Sequence, residues 1–366
     1  MLQHEELEIN MGPQHPSTHG VLQVKLRIDG ESIVEAKPVI GYLHRGVEKL
    51  AENRPYTQLC PFVDRMDYIA SFAEEIALIE AIEKLIGCEV PPRAKYMRVV
   101  LAELQRIASH LVWLGTHAMD IGAITAFLYV MREREKILDL FEACCGARMT
   151  FNALRIGGLP HEFPDEFAGG ARLFLEEFPK RLNEYETLLT QNRIWRKRTE
   201  GVGVIDAKTA LAHGLTGPTL RASGIDYDLR KHCPYDAYAE LHFDVPVGER
   251  GDSYDRYLVR LEEMRQSRRL VLEALDKLPD GPIAAKVAKR IKPAKGAEAY
   301  FASESPRGEM STYIVSDGTE KPYRIHFRSP SFCNLHGLPV LVKGHMVADV
   351  VTLIGTIDIV LGCVDR

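Results

Sequence analysis

The sequence predicts an α+β fold: a central bundle of long helices with an antiparallel β-hairpin near each end of the chain. Three observations carry this. Apolar and polar residues alternate in two runs, 22–29 and 313–328, each beside an Asp-Gly turn, which is the period of half-buried strands joined in a hairpin. Between these runs, several long stretches repeat apolar residues at three- and four-residue steps, so helices must pack on one another to bury them. Finally, 46% of the 366 residues are apolar and 27% charged, close to the averages of soluble globular chains. That balance excludes a disordered, collagen-like or small disulfide-stapled chain, and the length suits two domains or one large one.

In the first hairpin, Leu22, Val24, Leu26 and Ile28 alternate with Gln23, Lys25, Arg27 and Asp29; Asp29-Gly30 turns the chain, and Ile33, Val34 and Val39 begin the return. A first helix spans 71–87, with Phe72, Ile76, Ile79, Ile82 and Ile86 on one stripe and Gly87 as its stop. Pro91-Pro92 breaks the chain, and a second helix runs to Gly115 on Met97, Leu101, Leu104, Ile107 and Leu111. A third passes through Glu133 to Gly146, and a fourth covers 171–192 with Pro179 as an expected kink or break. Residues 201–251, rich in Gly, Pro and aromatics, read as ordered loops. Another helix occupies 253–277, and 279–297 is a basic linker. In the second hairpin, 313–315 leads through Asp317-Gly318 to Tyr323, Ile325 and Phe327. No internal repeat or heptad array is present.

Lys+Arg 46 against Asp+Glu 51 leaves a net charge of −5, unsuited to general nucleic-acid binding. The apolar run 350–357, bounded by Asp349 and Asp358, is far shorter than the roughly 20 residues a membrane span needs. The first residues show no signal-peptide pattern. Seven scattered cysteines, an odd number, suit a reducing compartment. The phosphate-binding glycine motifs of NAD and ATP sites are missing; Gly201-Val-Gly203 lacks the third glycine.

Some residues admit a chemical reading beside a plain one. His15 and His19, four apart in a Gly- and Pro-punctuated loop, could share a metal or aim a donor into a pocket, but composition alone favours ordinary turn chemistry. Asp64 and Asp67 read first as a charged helix start, and Asp120, after His117, as a loop residue. His110, at the edge of the apolar stripe with Glu103 and Arg106, reads as a satisfied core histidine. Cys60 and Cys363 lack C-x-x-C partners, since Val63 and Val360 stand there; Cys144-Cys145 point about 100° apart on a helix and read as small apolar residues. Arg193, Arg196, Lys197 and Arg198 around Trp195 read as a solvated helix end or as a docking surface for an acidic partner.

Seven motifs stand in order along nearly the whole chain: Gly12-Pro-Gln-His-Pro-Ser-Thr-His-Gly20, Gly41-Tyr-Leu-His-Arg-Gly46, Asp64-Arg-Met-Asp-Tyr68, Arg221-Ala-Ser-Gly224, Phe243-Asp-Val-Pro-Val-Gly-Glu-Arg-Gly-Asp252, Arg307-Gly-Glu309 and Gly362-Cys-Val-Asp-Arg366. In these the chain resembles the 49-kDa-type, or D-type, subunits of the proton-pumping NADH:quinone oxidoreductase, respiratory complex I, a family similar to nickel–iron hydrogenase large subunits. The resemblance implies one hydrogenase-large-subunit-like domain over 1–366, made of a β region (1–48), a helical bundle (49–200), loops, helix and basic linker (201–300) and a β/α region (301–366).

The resemblance further implies a quinone-reduction pocket shared with a small subunit that carries the terminal iron–sulfur cluster, beside a quinone-channel membrane subunit. His19 and Tyr68 are then the donors to the quinone carbonyls, and Asp120 is the carboxylate paired with His19. Arg65 and His110 lie close to the partner's cluster. No cofactor or metal is expected on this chain, because Val63 and Val360 cannot complete a nickel–iron centre. As a subunit of a respiratory-chain enzyme it belongs, on this reading, on the cytoplasmic side of the cell membrane as a peripheral protein. The linker at 279–297 is shorter than the family often carries. The same motifs would serve an equivalent subunit of a complex fed by ferredoxin or another donor.

Overall fold

The computed structural model describes residues 6–14 and 20–366. Near the amino terminus, β1 (Glu6–Met11), β2 (Gln23–Asp29) and β3 (Ser32–Val39) form an antiparallel sheet in that order. Leu26 pairs with Ala36, and Val24, Leu26 and Ile28 turn inward as their alternation requires. The sheet has one strand more than the sequence predicts: β1 is mostly exposed, so no apolar alternation marks it, and its backbone ladder to β2 is what holds it there.

The helices follow: short α1 (Val47–Ala51) and α2 (Cys60–Val63), then long α3 (Ser71–Ile86), α4 (Pro92–Asp120), α5 (Ile124–Cys145) and α6 (Phe167–Leu189). Gly87 ends α3 at φ 65°, a left-handed cap that glycine adopts without steric cost. Pro92 sits in the first turn of α4, where its missing N–H removes no helical bond. Three boundaries differ from expectation. The second helix runs past Gly115, so Asp120 is its last helical residue and not part of a loop. Pro179 does not break α6, which runs through it as one helix; the carbonyl its ring leaves without a helical donor, that of Leu175, receives Arg268 Nε at 2.6 Å from outside the helix. The loops at 201–251 contain three short helices, α8 (Ala207–Ala212), α9 (Gly217–Arg221) and α10 (Leu229–His232), after α7 (Arg193–Thr199). On α7, Trp195 is buried, Arg196 pairs with Glu200 and Arg198 reaches the Ala348 carbonyl.

The long α11 (Ser253–Asp276) packs beside α4. A second antiparallel sheet follows, β4 (Glu298–Ser305), β5 (Gly308–Ser316) and β6 (Pro322–Arg328), with Ile314 opposite Ile325. Here too a strand, β4, joins the expected hairpin. The chain closes with α12 (Pro330–His336), α13 (Leu338–Val342), α14 (Val347–Ile357) and α15 (Leu361–Asp365). The apolar interior has two clusters. One lies among α3–α6, α11 and the second sheet; the other joins the inner face of the first sheet to α13–α15. Among the described residues, no helix is long and apolar enough to cross a membrane.

Candidate functional site

Motifs far apart in sequence meet at one end of the bundle. The Asp365 carboxylate accepts hydrogen bonds from Gly41 N at 2.9 Å and Leu43 N at 2.7 Å, tying the 41–46 loop to the last helix. Arg45 spans from there to the Arg65 carbonyl at 2.6 Å. Gly362 lies against the same segment: a Cβ at this position would stand 2.6 Å from the Met66 carbonyl oxygen and 3.1 Å from that of Arg65. Only glycine lets α15 approach so closely. The 64–68 segment is therefore held from two sides before it enters α3.

This leaves a cleft of about 220 Å³ between the segment carrying Tyr68, the last turns of α4 and the turn from α14 to α15. Its walls are Ile69, Val112, Trp113, Ile359 and Val360; its polar groups are the Tyr68 phenol, Thr116, Asp120, Arg307 and Asp358. Tyr68 is half-buried. Burial raises its pKa, the Asp67 charge raises it further, and Arg307 pulls it back. The phenol thus keeps its proton at neutral pH and can donate it. Trp113 is fixed by its Nε1–H to the Gly355 carbonyl at 2.8 Å.

Arg307 stands behind this cleft, buried between two carboxylates. It donates to Asp67 Oδ2 at 2.7 Å, to Ser109 Oγ at 3.1 Å and to Asp358 Oδ1 at 3.3 Å. Burial alone would lower its pKa; Asp358 and Asp67 outweigh that, so it stays a guanidinium. Asp67 also receives the Ile69 N–H at 3.2 Å. Asp64 and Asp67 are both fully buried. Asp64 binds the Asn152 N–H at 2.8 Å. A periodicity argument has no means of finding Arg307, Asp67 or Asp358 as a unit, since they come from three distant segments; only the presence of Arg307 and Asp67 within the ordered motifs hinted at them.

Of the residues singled out from the sequence, Tyr68 and Asp120 share the cleft. His19 lies outside the described residues, as does His15; Gly20 sits against Leu361, next in sequence to the cleft residues Ile359 and Val360. Arg65 is exposed and reaches back to the Pro61 carbonyl at 2.7 Å. His110 is elsewhere. It is completely buried in the bundle, its Nε2 is 2.8 Å from Glu263 Oε2, and it does not line the cleft. Burial lowers its pKa to about 4, so the ring is neutral and donates from Nε2.

His110 belongs to a buried ionic network. Glu263 also takes Arg221 at 2.6 Å, and Arg221 holds Glu304 at 2.7 Å. Next to it, Glu103 accepts from Arg230 at 3.1 Å, Tyr238 at 2.6 Å and Ser267 at 2.6 Å. Asp228 binds Arg230 at 2.6 Å. Cys363 is buried with its thiol 2.9 Å from Ser329 Oγ and 3.4 Å from Glu74 Oε1. Burial holds the Cys60 and Cys363 thiols well above their usual range, the opposite of a thiolate ligand. With buried Val63 and Val360 at the companion positions, the donor set does not suit a nickel–iron centre.

Comparison with known proteins agrees with this convergence of motifs. A family model described as the 49 Kd subunit of the respiratory-chain NADH dehydrogenase matches residues 120–297 and 286–366. A protein of Solibacter usitatus (strain Ellin6076), named as a second D-type subunit of NADH-quinone oxidoreductase, is 55% identical over 361 residues, 99% of this chain and 97% of its own. The D-type subunit of NADH-quinone oxidoreductase from Desulforamulus reducens is 51% identical over 99% of this chain and 98% of its own. Its counterpart in Trichlorobacter lovleyi is 48% identical over 390 residues, the whole of both chains. That alignment is longer than the chain's 366 residues, and the two family matches meet within the 279–297 linker.

Proposed function

The chain belongs to the 49-kDa-subunit family of the respiratory-chain NADH dehydrogenase, and from that premise we propose that it forms the quinone-reduction pocket of a proton-translocating NADH:quinone oxidoreductase. The observation that carries the reading is the cleft in which Tyr68 and Asp120 meet between apolar walls. Apolar sides suit a quinone ring, and the phenol suits one of its carbonyls. The partner here is the small subunit with the terminal iron–sulfur cluster, which supplies the electrons. A quinone-channel membrane subunit lies alongside, and the chain sits on the cytoplasmic face of the membrane as a peripheral subunit.

The protons come from this chain's residues. A quinone takes up two electrons and two protons to become a quinol. Tyr68 gives one proton from its Oη and is left as tyrosinate; His19 gives the other and is left neutral. Asp120 is the carboxylate that keeps His19 protonated until then. The loss of both protons leaves Asp120 and the tyrosinate short of positive charge in a poorly solvated cleft, and this charge change starts the rearrangement coupled to proton pumping. Arg65, exposed on the 64–68 segment, is the residue of this group that faces the partner's cluster. The burial of His110 restricts it to an indirect part there.

The deciding experiment is quinone-reductase activity in membranes carrying Tyr68→Phe, with the complex assembled and electron transfer to an artificial acceptor as control. Loss of a positioned proton donor lowers quinone turnover by roughly a hundredfold and leaves the artificial route intact. Unchanged quinone turnover would remove Tyr68, and this reading of the cleft, from the chemistry.

A further inference from the structure

A buried arginine held by two carboxylates at the back of a reaction cleft is more than a fold-stabilising contact when a titrating phenol lines the same space. We propose that Arg307, clamped by Asp67 and Asp358, is a positioning residue for proton donation: its fixed charge stabilises the Tyr68 phenolate formed when the phenol gives up its proton. This inference rests on the reading of the cleft as a quinone site.

Three features of the geometry support it. Arg307 and Tyr68 line one cleft, while Asp67, adjacent to Tyr68 in the chain, is the carboxylate that holds Arg307 at 2.7 Å. The guanidinium is anchored on both sides and from Ser109, so its charge cannot swing toward solvent when the cleft changes charge. A charge that is already in place when the phenolate forms requires no reorganisation at that moment. Its Nε is buried without a hydrogen-bond partner, which leaves part of the cation uncompensated by the clamp. The clamp is itself built to last: the Arg307 backbone carbonyl accepts from Asn334 Nδ2 at 3.0 Å. A salt bridge serving only stability would have no reason to stand at the wall of a cleft.

The proton balance is simple. The phenol O–H bond breaks, the proton bonds to the quinone oxygen as the electrons arrive from the partner's cluster, and the negative charge stays on Tyr68 Oη, in the cleft that Arg307 also lines. The charged and titratable groups that face Tyr68 are Asp67 on its own segment, Asp120 at the end of α4, Arg307 beside β5 and Asp358 after α14; Glu74, whose pKa burial and Asp67 push up and Arg307 pulls down, lies behind them on α3.

The test uses assembled complex in membranes carrying Arg307→Gln, Arg307→Lys and Asp358→Asn, with a short-chain quinone analogue as the probe. Arg307→Gln lowers kcat about tenfold or more with KM within about twofold, and moves the alkaline limb of the pH–rate profile upward, because the phenol loses the charge that eases its ionisation. Arg307→Lys restores most of kcat. Asp358→Asn, which keeps the cation but loosens its hold, gives a smaller fall. If Arg307→Gln does not assemble, the Lys and Asn variants carry the decision alone. A rise in KM at unchanged kcat, or an assembled Arg307→Lys variant that loses kcat tenfold or more although it keeps the positive charge, overturns the proposal. These failures differ from failure of the cleft reading itself, which Tyr68→Phe reports separately.

Discussion

Two sets of buried arginine–carboxylate contacts in the molecule differ in one respect. In the bundle, Glu103, Arg230, Asp228, Arg221, Glu263 and Glu304 form a network whose charges have partners on several sides and face only protein. In the cleft, Asp67, Arg307 and Asp358 make a similar clamp, but open space and a phenol lie beside it. The ionic chemistry is the same. What separates a structural contact from a functional one is access, and with it the freedom of a neighbouring group to change its charge. In a closed network any change of charge leaves a buried ion unpaired, so its role is to fix packing. In the cleft, on the proposed reading, a change of charge is matched by the quinone.

Removing a member of the closed network should therefore damage assembly far more than chemistry. Glu103→Ala takes one carboxylate away from both Arg230 and Arg106 and leaves Tyr238 and Ser267 without that acceptor. It is expected to cost ~3–5 kcal/mol and to be seen as loss of the subunit from membranes; an assembled, thermally normal complex would break the distinction. His110 sharpens it through pH. Its pKa is about 4 in the fold and near 6.5 when unfolded, so between these values the unfolded chain binds the extra proton. Stability due to the neutral buried ring is complete above about pH 6.5 and is lost as pH falls toward 4, by about 3 kcal/mol in all. Thermal inactivation of His110→Asn should be less acid-sensitive over that window than that of the wild type; equal sensitivity would contradict the assignment.

Smaller effects are expected in the open region and at the surface. Asp120→Asn should lower quinone turnover several-fold and, more tellingly, reduce the protons pumped per quinone; continued reduction at full pumping yield would end the proposed charge coupling. Arg148 ties Glu135, Asp139 and Glu142 together on the solvent side of α5. Arg148→Ala should leave activity and thermal inactivation unchanged, since exposed pairs are screened by water and salt. A clear loss there would mean that this face is covered in the assembled complex.

Elements with a strong period were legible in the sequence. The stripes of α3 and α4 and the alternation of β2, β5 and β6 report burial directly, because a regular element can bury one face only by repeating at its own period. β1 was not legible, since its exposed residues carry no such signal. The continuity of α6 through Pro179 depends on Arg268, a residue in another helix. The site divides in the same way. Tyr68 and Asp120 came from resemblance, attached to short motifs; the helical placement of Asp120, the burial of Asp64 and Asp67, and the partnership of His110 with Glu263 came from the structure.

The sequence by itself therefore determined the α+β class, the long helices with their apolar faces, and the ordered motifs that mark the family. These depend on local period and on residue identity, which are properties of the chain alone. Only the tertiary structure decided which charges became a closed network and which became the wall of a cleft. Arg307 meets Asp67 and Asp358 across three remote segments, and α15 reaches the 64–68 turn only where Gly362 leaves room. Whether a buried charge is matched by protein on every side or left facing a cavity is a property of packing in three dimensions, and no spacing along the chain encodes it.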